Sequence, residues 1–584
     1  MKLGLYKYIL FSSMLMTSFN LFSIEFEVDG IYYSVTNSET NEVEVTRGPS
    51  YEYYKNNITI PETVSYNGTD YKVTSIGNSC FWYCYELSSV SLPNSVTYIG
   101  ESAFEGCKGL KSINIPESVT SIGYCAFKNC TRLSAISLPN IVTYIGQCAF
   151  YGCTELISIS LPNSITSIAD GLFCNCKGLK SITIPESVTH IGESAFEGCE
   201  GLSYISLPGS VTNIEKSTFK DCTGLSSLSL PCSVARIGES AFEGCKKLSS
   251  ILHPDSVTYI GKSAFYGCTA LSSISLPNSV TYIGESAFRG CTELSEISLP
   301  NSITSIADGL FRNCKGLKSI TIPESVTSIN NSAFCLSGLT SIIIPKNIIG
   351  IGYWAFAGCD ELTTVIFNAE NCTYCGAWDK TSVFGDCVKL NQIIIGDSVK
   401  TIPDFCFLRC TGLVSVSIPN SVTTIGAYAF SECSGLTDLS LGNSVESIGR
   451  YAFSIERLGR ITSLNPVPPT CKDNTVFVSV NKDNCLLTIP KGTMDIYSTT
   501  YVGWDYKRMK ESSEEGGIND VERGDVSVSE ENGVIHIEGA NGAAVEVYNA
   551  AGVRIYNGTE TEVPVPQRGI YVVKVANRTL KLAL

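Results

Sequence analysis

The sequence predicts a repeat solenoid of parallel β ladders with short helical turns, followed by a small antiparallel β-sandwich near the carboxyl terminus. The first observation is a motif, Ser95 to Glu117 (SVTYIGESAFEGCKGLKSINIPE), that returns with little change every 23 residues. The second is the proline closing each unit, which recurs from Pro93 to Pro323 without a change of interval. A period between about 20 and 50 residues is typical of solenoids, whose units bury their apolar faces only against their neighbours.

Each unit carries one short strand and a set of inward positions. Leu110, Ile113 and Ile115 have the spacing of a strand whose apolar side chains face inward, and the next residue, proline, ends it because proline has no N–H for the ladder. The remaining inward positions are those of Val96, Ile99, Ala103, Phe104 and Cys107. Because Ala103-Phe104 is too short for an independent helix, one helical or 3₁₀ turn is expected there.

The repeats extend over residues 61–465, about 17 units, with a five-residue insertion in the unit that begins at Asn368. They also repeat at a higher level, because Leu161 to Thr189 returns almost unchanged at Leu299 to Thr327, a shift of 138 residues or six units. Duplication of whole blocks lengthens the array. This is easier to reconcile with a scaffold whose length matters than with an enzyme that has a single active site.

The amino terminus is interpreted as an export signal followed by a cap. Residues 1–23 join Lys2 and Lys7 to an apolar run, which is the pattern of a secretory signal peptide. Residues 24–60 alternate apolar and polar side chains as β-strands do, and they are expected to cover the exposed end of the array. No later stretch is long and apolar enough for a transmembrane helix.

Cysteine is frequent, with 26 residues, and 15 of them share one repeat position. They are Cys84, Cys107, Cys130, Cys153, Cys176, Cys199, Cys222, Cys245, Cys268, Cys291, Cys314, Cys359, Cys387, Cys410 and Cys433. Export favours disulfides, but neighbouring rungs lie about 4.8 Å apart and a disulfide needs converging Cβ atoms roughly 3.8 Å apart. The column is therefore predicted to hold buried free thiols that act as small hydrophobes.

A second cysteine motif, Cys372-x-x-Cys375, is assigned to the five-residue insertion beside Trp378 and Asp379. A zinc site needs four ligands, and no second C-x-x-C or histidine pair accompanies this one. A local disulfide or an ordinary loop is the favoured interpretation.

The repeat residues resemble a known family. The pattern L-x-x-I-x-I-P-x-x-V-T-x-I-G-x-x-A-F-x-G-C is similar to the BspA-like, or treponemal-type, leucine-rich repeats found in surface proteins of anaerobic bacteria and some protozoan parasites. The match covers roughly residues 60–465. The resemblance implies a curved scaffold of leucine-rich-repeat type, exposed on a cell surface and used for adhesion to host matrix proteins or other cells. It brings no catalytic residues and no cofactor.

The composition excludes several other classes. The net charge of −15 and the lack of Lys and Arg clusters argue against nucleic acid as a partner. The three histidines, His190, His253 and His536, occupy unrelated positions, and no P-loop, nucleophile elbow or metal-binding cluster is present. The chain is therefore predicted not to be an enzyme and to need no cofactor or metal.

The predicted interaction surface is the outward face of the strands. One outward column is nearly all hydroxyl, running from Ser89 through Ser112 and Ser181 to Thr364. Such a face offers few aromatic or Arg anchors, so binding through it should be shallow and multivalent. Tyr204 and Glu296 on the face and Trp378 in the inserted loop are the candidate ligand contacts.

Three segments follow the repeats. Residues 466–511 resemble the segment that closes the array in this family, and residues 512–525 form a polar linker. Residues 526–584 hold short alternating runs typical of an antiparallel β-sandwich. Within them, VEVYNAAGVRIY followed by RGIYVVKVANRTLKLAL is similar to the carboxy-terminal sorting domain of type IX secretion.

Two functional classes follow. The favoured one is a secreted, non-enzymatic adhesin or protein-interaction scaffold on the outer cell surface, which binds host matrix or cell-surface proteins through the repeat face. The alternative is a surface glycan-binding protein that uses exposed aromatic residues such as Trp354, Trp378 and tyrosines. Clustered exposed aromatic residues would favour the alternative.

Overall fold

The structure, a computed structural model, describes residues 25–48, 54–252, 255–376, 382–500, 502–512 and 527–583, the last range without 532–533, 539, 541–542, 549–553, 565–569 and 576–577. The predicted signal peptide, almost all of the predicted linker, His253 and Trp378 lie outside the described residues. The chain divides into two compact units, Met1–Ile165 and Thr166–Leu584. Both are parallel β-solenoids with turns of roughly 23 residues, and the second unit ends in antiparallel sheets, which confirms the predicted fold class. The described residues form about 19 turns, whereas the sequence predicts about 17.

The first unit opens with antiparallel strands that are hydrogen-bonded into the repeat ladder. Glu25–Val28, Ile31–Asn37 and Glu42–Thr46 pair in that order, and Thr63–Tyr66 forms a hairpin with Thr69–Ile76. Glu42–Thr46 pairs in parallel with Thr69–Ile76, which in turn pairs in parallel with Tyr98–Ile99. The amino-terminal segment therefore extends the ladder of the repeats.

Two parallel ladders run through the repeats of the first unit. The longer strands are Asn56–Thr59, Leu87–Ser91, Ser112–Asn114, Ala135–Ser137 and Ser158–Ser160, and the two-residue strands are Tyr98–Ile99, Ser121–Ile122 and Tyr144–Ile145. From Ser112–Asn114 to Ser158–Ser160, each strand residue pairs with the equivalent residue of the next repeat, as Ile113 does with Ile136.

The second unit has the same two ladders. Its longer strands are Ser181–Thr183, Tyr204–Ser206, Ser227–Ser229, Ser250–Leu252, Ser273–Ser275, Glu296–Ser298, Ser341–Ile344, Thr364–Phe367, Gln392–Ile395, Ser415–Ile418, Asp438–Leu441, Arg460–Ser463, Leu486–Ile489 and Arg508–Glu511. Its two-residue strands are Ser167–Ile168, His190–Ile191, Asn213–Ile214, Arg236–Ile237, Tyr259–Ile260, Tyr282–Ile283, Ser305–Ile306, Ser328–Ile329, Gly350–Ile351, Tyr374–Cys375, Thr401–Ile402, Thr424–Ile425, Ser447–Ile448 and Thr470–Cys471.

The parallel ladder continues past residue 465, because Leu486–Ile489 pairs with both Arg460–Ser463 and Arg508–Glu511. The helix Met494–Thr499 lies between the last two of these strands. Tyr497 anchors it, since its buried hydroxyl donates to the Asn465 carbonyl at 2.8 Å.

Besides its two strands, each repeat contains a tight turn of the backbone, at the place where the sequence predicts a helical or 3₁₀ turn. The N–H of Ala103 donates to the carbonyl of Gly100, three residues earlier, at 3.3 Å. The N–H of Phe104 instead donates to the carbonyl of Ala126 in the next 23-residue repeat, at 2.7 Å. Gly106, with φ 76°, supplies the left-handed conformation that such a turn requires.

The core is a set of stacked columns. All the predicted inward residues of the first motif, from Val96 to Ile115, are buried, which confirms the prediction. The phenylalanine column stacks ring on ring, with centroids of Phe219 and Phe242 5.5 Å apart and those of Phe242 and Phe265 5.3 Å apart. Offset ring pairs at such spacings stabilise a core beyond simple area burial.

The carboxyl-terminal region contains two antiparallel sheets. One holds Ser527–Glu531, Val534–Glu538 and Glu562–Pro564, and the other holds Arg554–Gly558, Val545–Tyr548, Ile570–Val575 and Arg578–Ala583. Residues from both sheets, including Ile535, Ile537, Val545, Val547, Val563, Val573 and Val575, form one buried cluster. The sheets therefore pack face to face as a small β-sandwich.

Candidate interaction surface

The strand face of the second unit presents hydroxyl groups at regular intervals. On Ser273–Ser275 the two serines are exposed while Ile274 between them is buried, because successive side chains of a strand point to opposite faces. The pairing to Glu296–Ser298 is in register, so equivalent residues lie side by side on neighbouring rungs. The result is a regular surface on which equivalent residues of neighbouring strands lie about 4.8 Å apart.

The structure does not bring the predicted contact residues together. Tyr204 is 61% exposed on the strand Tyr204–Ser206, and Glu296 is exposed on Glu296–Ser298. Four rungs separate them, which corresponds to about 19 Å. Trp378 lies outside the described residues. A role for these three residues in binding therefore stays a prediction.

The charged residues of the repeats pair along the ladder. Lys262 Nζ lies 2.9 Å from Glu285 Oε2, and Lys216 Nζ lies 3.8 Å from Glu239 Oε1, each pair joining neighbouring turns. Both pairs are about half exposed, so each contributes little to stability. Their main effect is to balance charge locally on a solvent-exposed part of the repeats.

An aromatic row that the sequence reasoning missed lies on the two-residue strands. Tyr259 and Tyr282 stack with centroids 4.8 Å apart and planes 11° apart. The Arg236 guanidinium lies 3.8 Å from the Tyr259 ring centroid, a close cation–π contact. The three residues precede the isoleucine of their strands at intervals of 23 residues, so alignment of that column would have revealed the row.

A second aromatic row lies on the turns. The rings of Phe405 and Tyr428 stack at 5.2 Å, and those of Tyr428 and Tyr451 at 4.8 Å. All three residues have positive φ, at 61°, 57° and 54°, a conformation that bulky residues rarely adopt. Because stacked rings cover one another's faces, the row presents mainly ring edges and hydroxyl groups.

The cysteine column is held by hydrogen bonds that the sequence did not indicate. Cys245 Sγ donates to the carbonyl of Phe219 at 3.1 Å, and Cys268 repeats the contact with Phe242 at 3.1 Å. Both cysteines are thiols, as predicted, but they are hydrogen-bond donors as well as small apolar groups. Burial raises the pKa of Cys314 in the same column to about 12, so its thiol is unreactive at neutral pH.

The assignment of Cys372-x-x-Cys375 to the inserted loop is wrong. Cys375 lies in the strand Tyr374–Cys375 and pairs with Ile351, so it occupies an ordinary inward position. Both cysteines are buried, and the Cys406 thiol of the following turn donates to the Cys375 sulfur at 3.0 Å. The motif is a core thiol cluster because the extra residues of this unit fall mainly after Gly376.

Side chains that could act in catalysis or bind a metal are scattered in the part of the chain that the structure describes. His190 is exposed on its strand, and His536 Nδ1 lies 3.5 Å from Glu562 Oε1 in the carboxyl-terminal sandwich. Among the described residues there is no group of three His, Cys, Asp or Glu side chains that could hold a metal ion. No helix of the described ranges is long and apolar enough to cross a membrane.

The repeats stack as turns of about 23 residues, their strands form parallel ladders, and their leucine and isoleucine side chains form apolar columns in the core. These features define a leucine-rich-repeat solenoid. The model of the BspA-type leucine-rich repeat region, which contains six copies of the repeat, matches residues 74–201, 143–272, 258–378 and 380–497. The chain therefore belongs to the BspA-type leucine-rich-repeat family. Repeat regions of this type suggest a protein-interaction scaffold, and no enzyme family is indicated.

Solved structures of bacterial repeat proteins are similar to this chain. A leucine-rich repeat protein from Bacteroides ovatus is 30% identical, over 75% of this chain and 94% of its own, with a TM-score of 0.43. A leucine-rich cell surface protein from Faecalibacterium prausnitzii is 26% identical, over 64% and 95%, with a TM-score of 0.37. A leucine-rich repeat protein from Eubacterium ventriosum is 22% identical, over 71% and 95%, with a TM-score of 0.34. Among curated proteins, no relative matches the chain.

Proposed function

We propose that the protein is a non-enzymatic, secreted adhesin or interaction scaffold of the outer cell surface, which binds host matrix or cell-surface proteins through its repeat face. The observation that carries the proposal is the regular hydroxyl surface of the strand ladder, on which positions such as Ser273 and Ser275 are exposed turn after turn. Membership of the BspA-type family supports a binding scaffold.

The chemistry of this face determines how it binds. Serine and threonine hydroxyls each supply weak hydrogen bonds, and specific interfaces usually depend on buried aromatic or Arg anchors. A face built mainly from hydroxyls gains affinity by repetition along an extended or multivalent ligand. Binding is therefore expected to scale with the number of turns.

Deletion of one copy of the duplicated block tests this proposal. Removing residues 163–300 deletes 138 residues and keeps the register, so the shortened array should still fold. Binding to immobilised matrix proteins should weaken gradually, whereas Trp378→Ala should matter little. Full binding by the shortened protein together with loss of binding in Trp378→Ala would refute a distributed surface.

A glycan ligand is the second candidate, and the row of Arg236, Tyr259 and Tyr282 favours it. Tyr282 is 48% exposed, and the next residue of its column, Ser305, is small, so one face of the Tyr282 ring is open for stacking on a sugar. Tyr282→Ala should then abolish glycan capture on an array, while Tyr204→Ala should not. Equal capture by both variants would exclude this site.

The carboxyl-terminal sandwich is proposed to serve export and anchoring, on the basis of its resemblance to type IX sorting domains. Truncation at Gly524 should leave the repeats folded but retain the protein inside the cell. Normal amounts of the truncated protein on the cell surface would contradict this role.

A further inference from the structure

Three isoleucines interrupt the hydroxyl pattern of the strand face. At the third strand position most turns of the second unit carry an exposed or half-exposed serine or threonine: Thr183, Ser206, Ser229, Ser275, Ser298, Ser417, Ser440, Thr462 and Thr488. Ile343, Ile366 and Ile394 occupy this position on three consecutive strands and are paired in register. They form what we call the isoleucine patch.

The centre of the isoleucine patch is buried although it points away from the solenoid core. Ile366 is only 4% exposed and its outward neighbour Thr364 is 6% exposed, whereas Ser273 and Ser415, which occupy the position of Thr364 on other turns, are exposed. The neighbouring strands of the ladder flank an outward side chain but do not cover its outer end, which would otherwise be exposed to solvent. A second layer of protein must therefore cover the patch, and removing apolar surface from water favours that covering.

Tyr548 identifies the covering layer. Val545 and Val547 on its strand lie in the core of the carboxyl-terminal sandwich, so Tyr548 projects from the opposite, outer face of that sheet. It is nevertheless only 3% exposed. Its hydroxyl donates to Gln392 Oε1 at 3.1 Å, on the last strand of the isoleucine patch, and also contacts Glu546 Oε2 at 2.9 Å.

The neighbourhood of Tyr548 agrees with a dry contact. Burial is the main cause that raises the pKa of Tyr548 to about 12, with the Glu546 carboxylate acting in the same direction. Val572 pairs with Tyr548 on the adjacent strand, which places a second apolar residue on the same outer face. Tyr548, which reaches Gln392, and Val572 therefore share the outer face of this sheet.

We infer that the isoleucine patch is a docking site for the chain's own carboxyl-terminal sandwich, which stays seated there through Tyr548 instead of swinging freely on its linker. The tether permits this arrangement. The 15 residue steps from Ser512 to Ser527 reach about 50 Å when extended, and the patch lies six rungs, or about 29 Å, from the last strand, Arg508–Glu511. Tethering also keeps the sandwich at roughly millimolar effective concentration near the patch.

Docking changes what the proposed binding surface consists of. The seated sandwich removes three consecutive turns from the accessible strand face and leaves the hydroxyl columns on either side free. The inference goes beyond the proposed adhesive function, because the sandwich can dock whether or not the repeats bind a ligand.

Hydroxyl-radical footprinting of the full chain, read by mass spectrometry, measures the exposure of both partners. The patch variant I343S/I366S/I394S places serine where most turns already have it, so the ladder should be preserved. We expect oxidation of Tyr548 to rise at least threefold in this variant. In the reciprocal variant Tyr548→Ser, oxidation of Ile366 should rise by a similar factor, while that of Val545 and Val547 should not, since these valines report an intact sandwich.

Tyr204→Ser is the matched control, because it removes an exposed tyrosine of the same face and should leave both readouts unchanged. Unaltered oxidation of Tyr548 in the patch variant and of Ile366 in Tyr548→Ser would overturn the inference. Protection of Ile366 that is lost on dilution, with a dimer mass by light scattering, would overturn it in favour of a second copy of the chain as the occupant.

Discussion

The hydrogen bonds of the cysteine column give the sharpest test of how the solenoid is held together. Cys245 is buried, and its thiol donates to the Phe219 carbonyl of the preceding turn at 3.1 Å. Cys245→Ala removes a group about the size of a methylene, worth about 0.8 kcal/mol, and a hydrogen bond worth about 0.5–1.5 kcal/mol. The turn should therefore open more easily by about 1.3–2.3 kcal/mol.

Cys245→Ser separates the two contributions. Serine keeps the donor in almost the same place, so we expect its cost to be about 1 kcal/mol smaller than that of alanine. If cysteine acted only as a small hydrophobe, the order would reverse, because a buried hydroxyl without a partner costs more than a methyl group.

Hydrogen exchange measured by mass spectrometry over residues 241–248 is the suitable assay, since a long repeat array need not unfold in one step. The alanine variant should speed exchange about tenfold to fiftyfold at neutral pH under reducing conditions, because 1.4 kcal/mol is a factor of ten. Cys232 is exposed, so Cys232→Ala and Cys232→Ser are matched controls and should change nothing. Faster exchange in Cys245→Ser than in Cys245→Ala would refute the donor role.

Three further predictions follow from the same structure. Alkylation of the folded protein at pH 8 should modify exposed Cys232 first, and column cysteines such as Cys314 only after unfolding. Mass spectrometry of the alkylated protein tests this, and disulfides between column cysteines of neighbouring turns in most of the column would contradict it. Because the folded-state pKa of Cys314 is raised from 9.0 to about 12, its stabilising contribution is complete below pH 9 and is lost as the pH rises towards 12, by up to about 1.4 kcal/mol per pH unit. Urea denaturation at pH 8 and pH 10.5 with reductant should show this loss, and equal midpoints would count against buried thiols. Tyr497→Phe removes the hydroxyl that contacts Ser463 Oγ at 2.7 Å and the Asn465 carbonyl at 2.8 Å, so hydrogen exchange in Arg460–Ser463 should accelerate by a factor equivalent to about 1–3 kcal/mol. Unchanged exchange there would mean that the helix does not anchor the last turns.

The fold and its core were readable from the sequence because a strict period makes neighbours of residues 23 positions apart. Residues like Val96, Phe104 and Cys107 recur at the same positions in most turns, and any structure that stacks the turns must stack these columns and bury them. The same reasoning predicted the outward hydroxyl columns. It failed at Cys372-x-x-Cys375, where an insertion hid the register and only the pairing of Cys375 with Ile351 revealed it.

The candidate surface was less predictable. Tyr204 and Glu296 differ from the other residues of their column, but a contact site depends on what else lies within a few ångströms, and the two residues are four strands apart in the ladder. The spacing of Tyr259 and Tyr282 is visible in the sequence, but that their rings stack follows only from the pairing of their strands. The row of Phe405, Tyr428 and Tyr451 has the same period and needed the turn geometry to show that its rings stack.

The sequence by itself determined that the chain is a parallel solenoid of BspA-type repeats, which residues face its core, and where its strand face carries hydroxyl groups, since all of these follow from one period. Only the tertiary structure decided the partners that the period does not specify. The direction of a thiol hydrogen bond depends on where the Phe219 carbonyl points, and the contact of Tyr548 with Gln392 joins residues 156 positions apart. Such contacts arise from packing between layers, and no repeat in the chain encodes which layers meet.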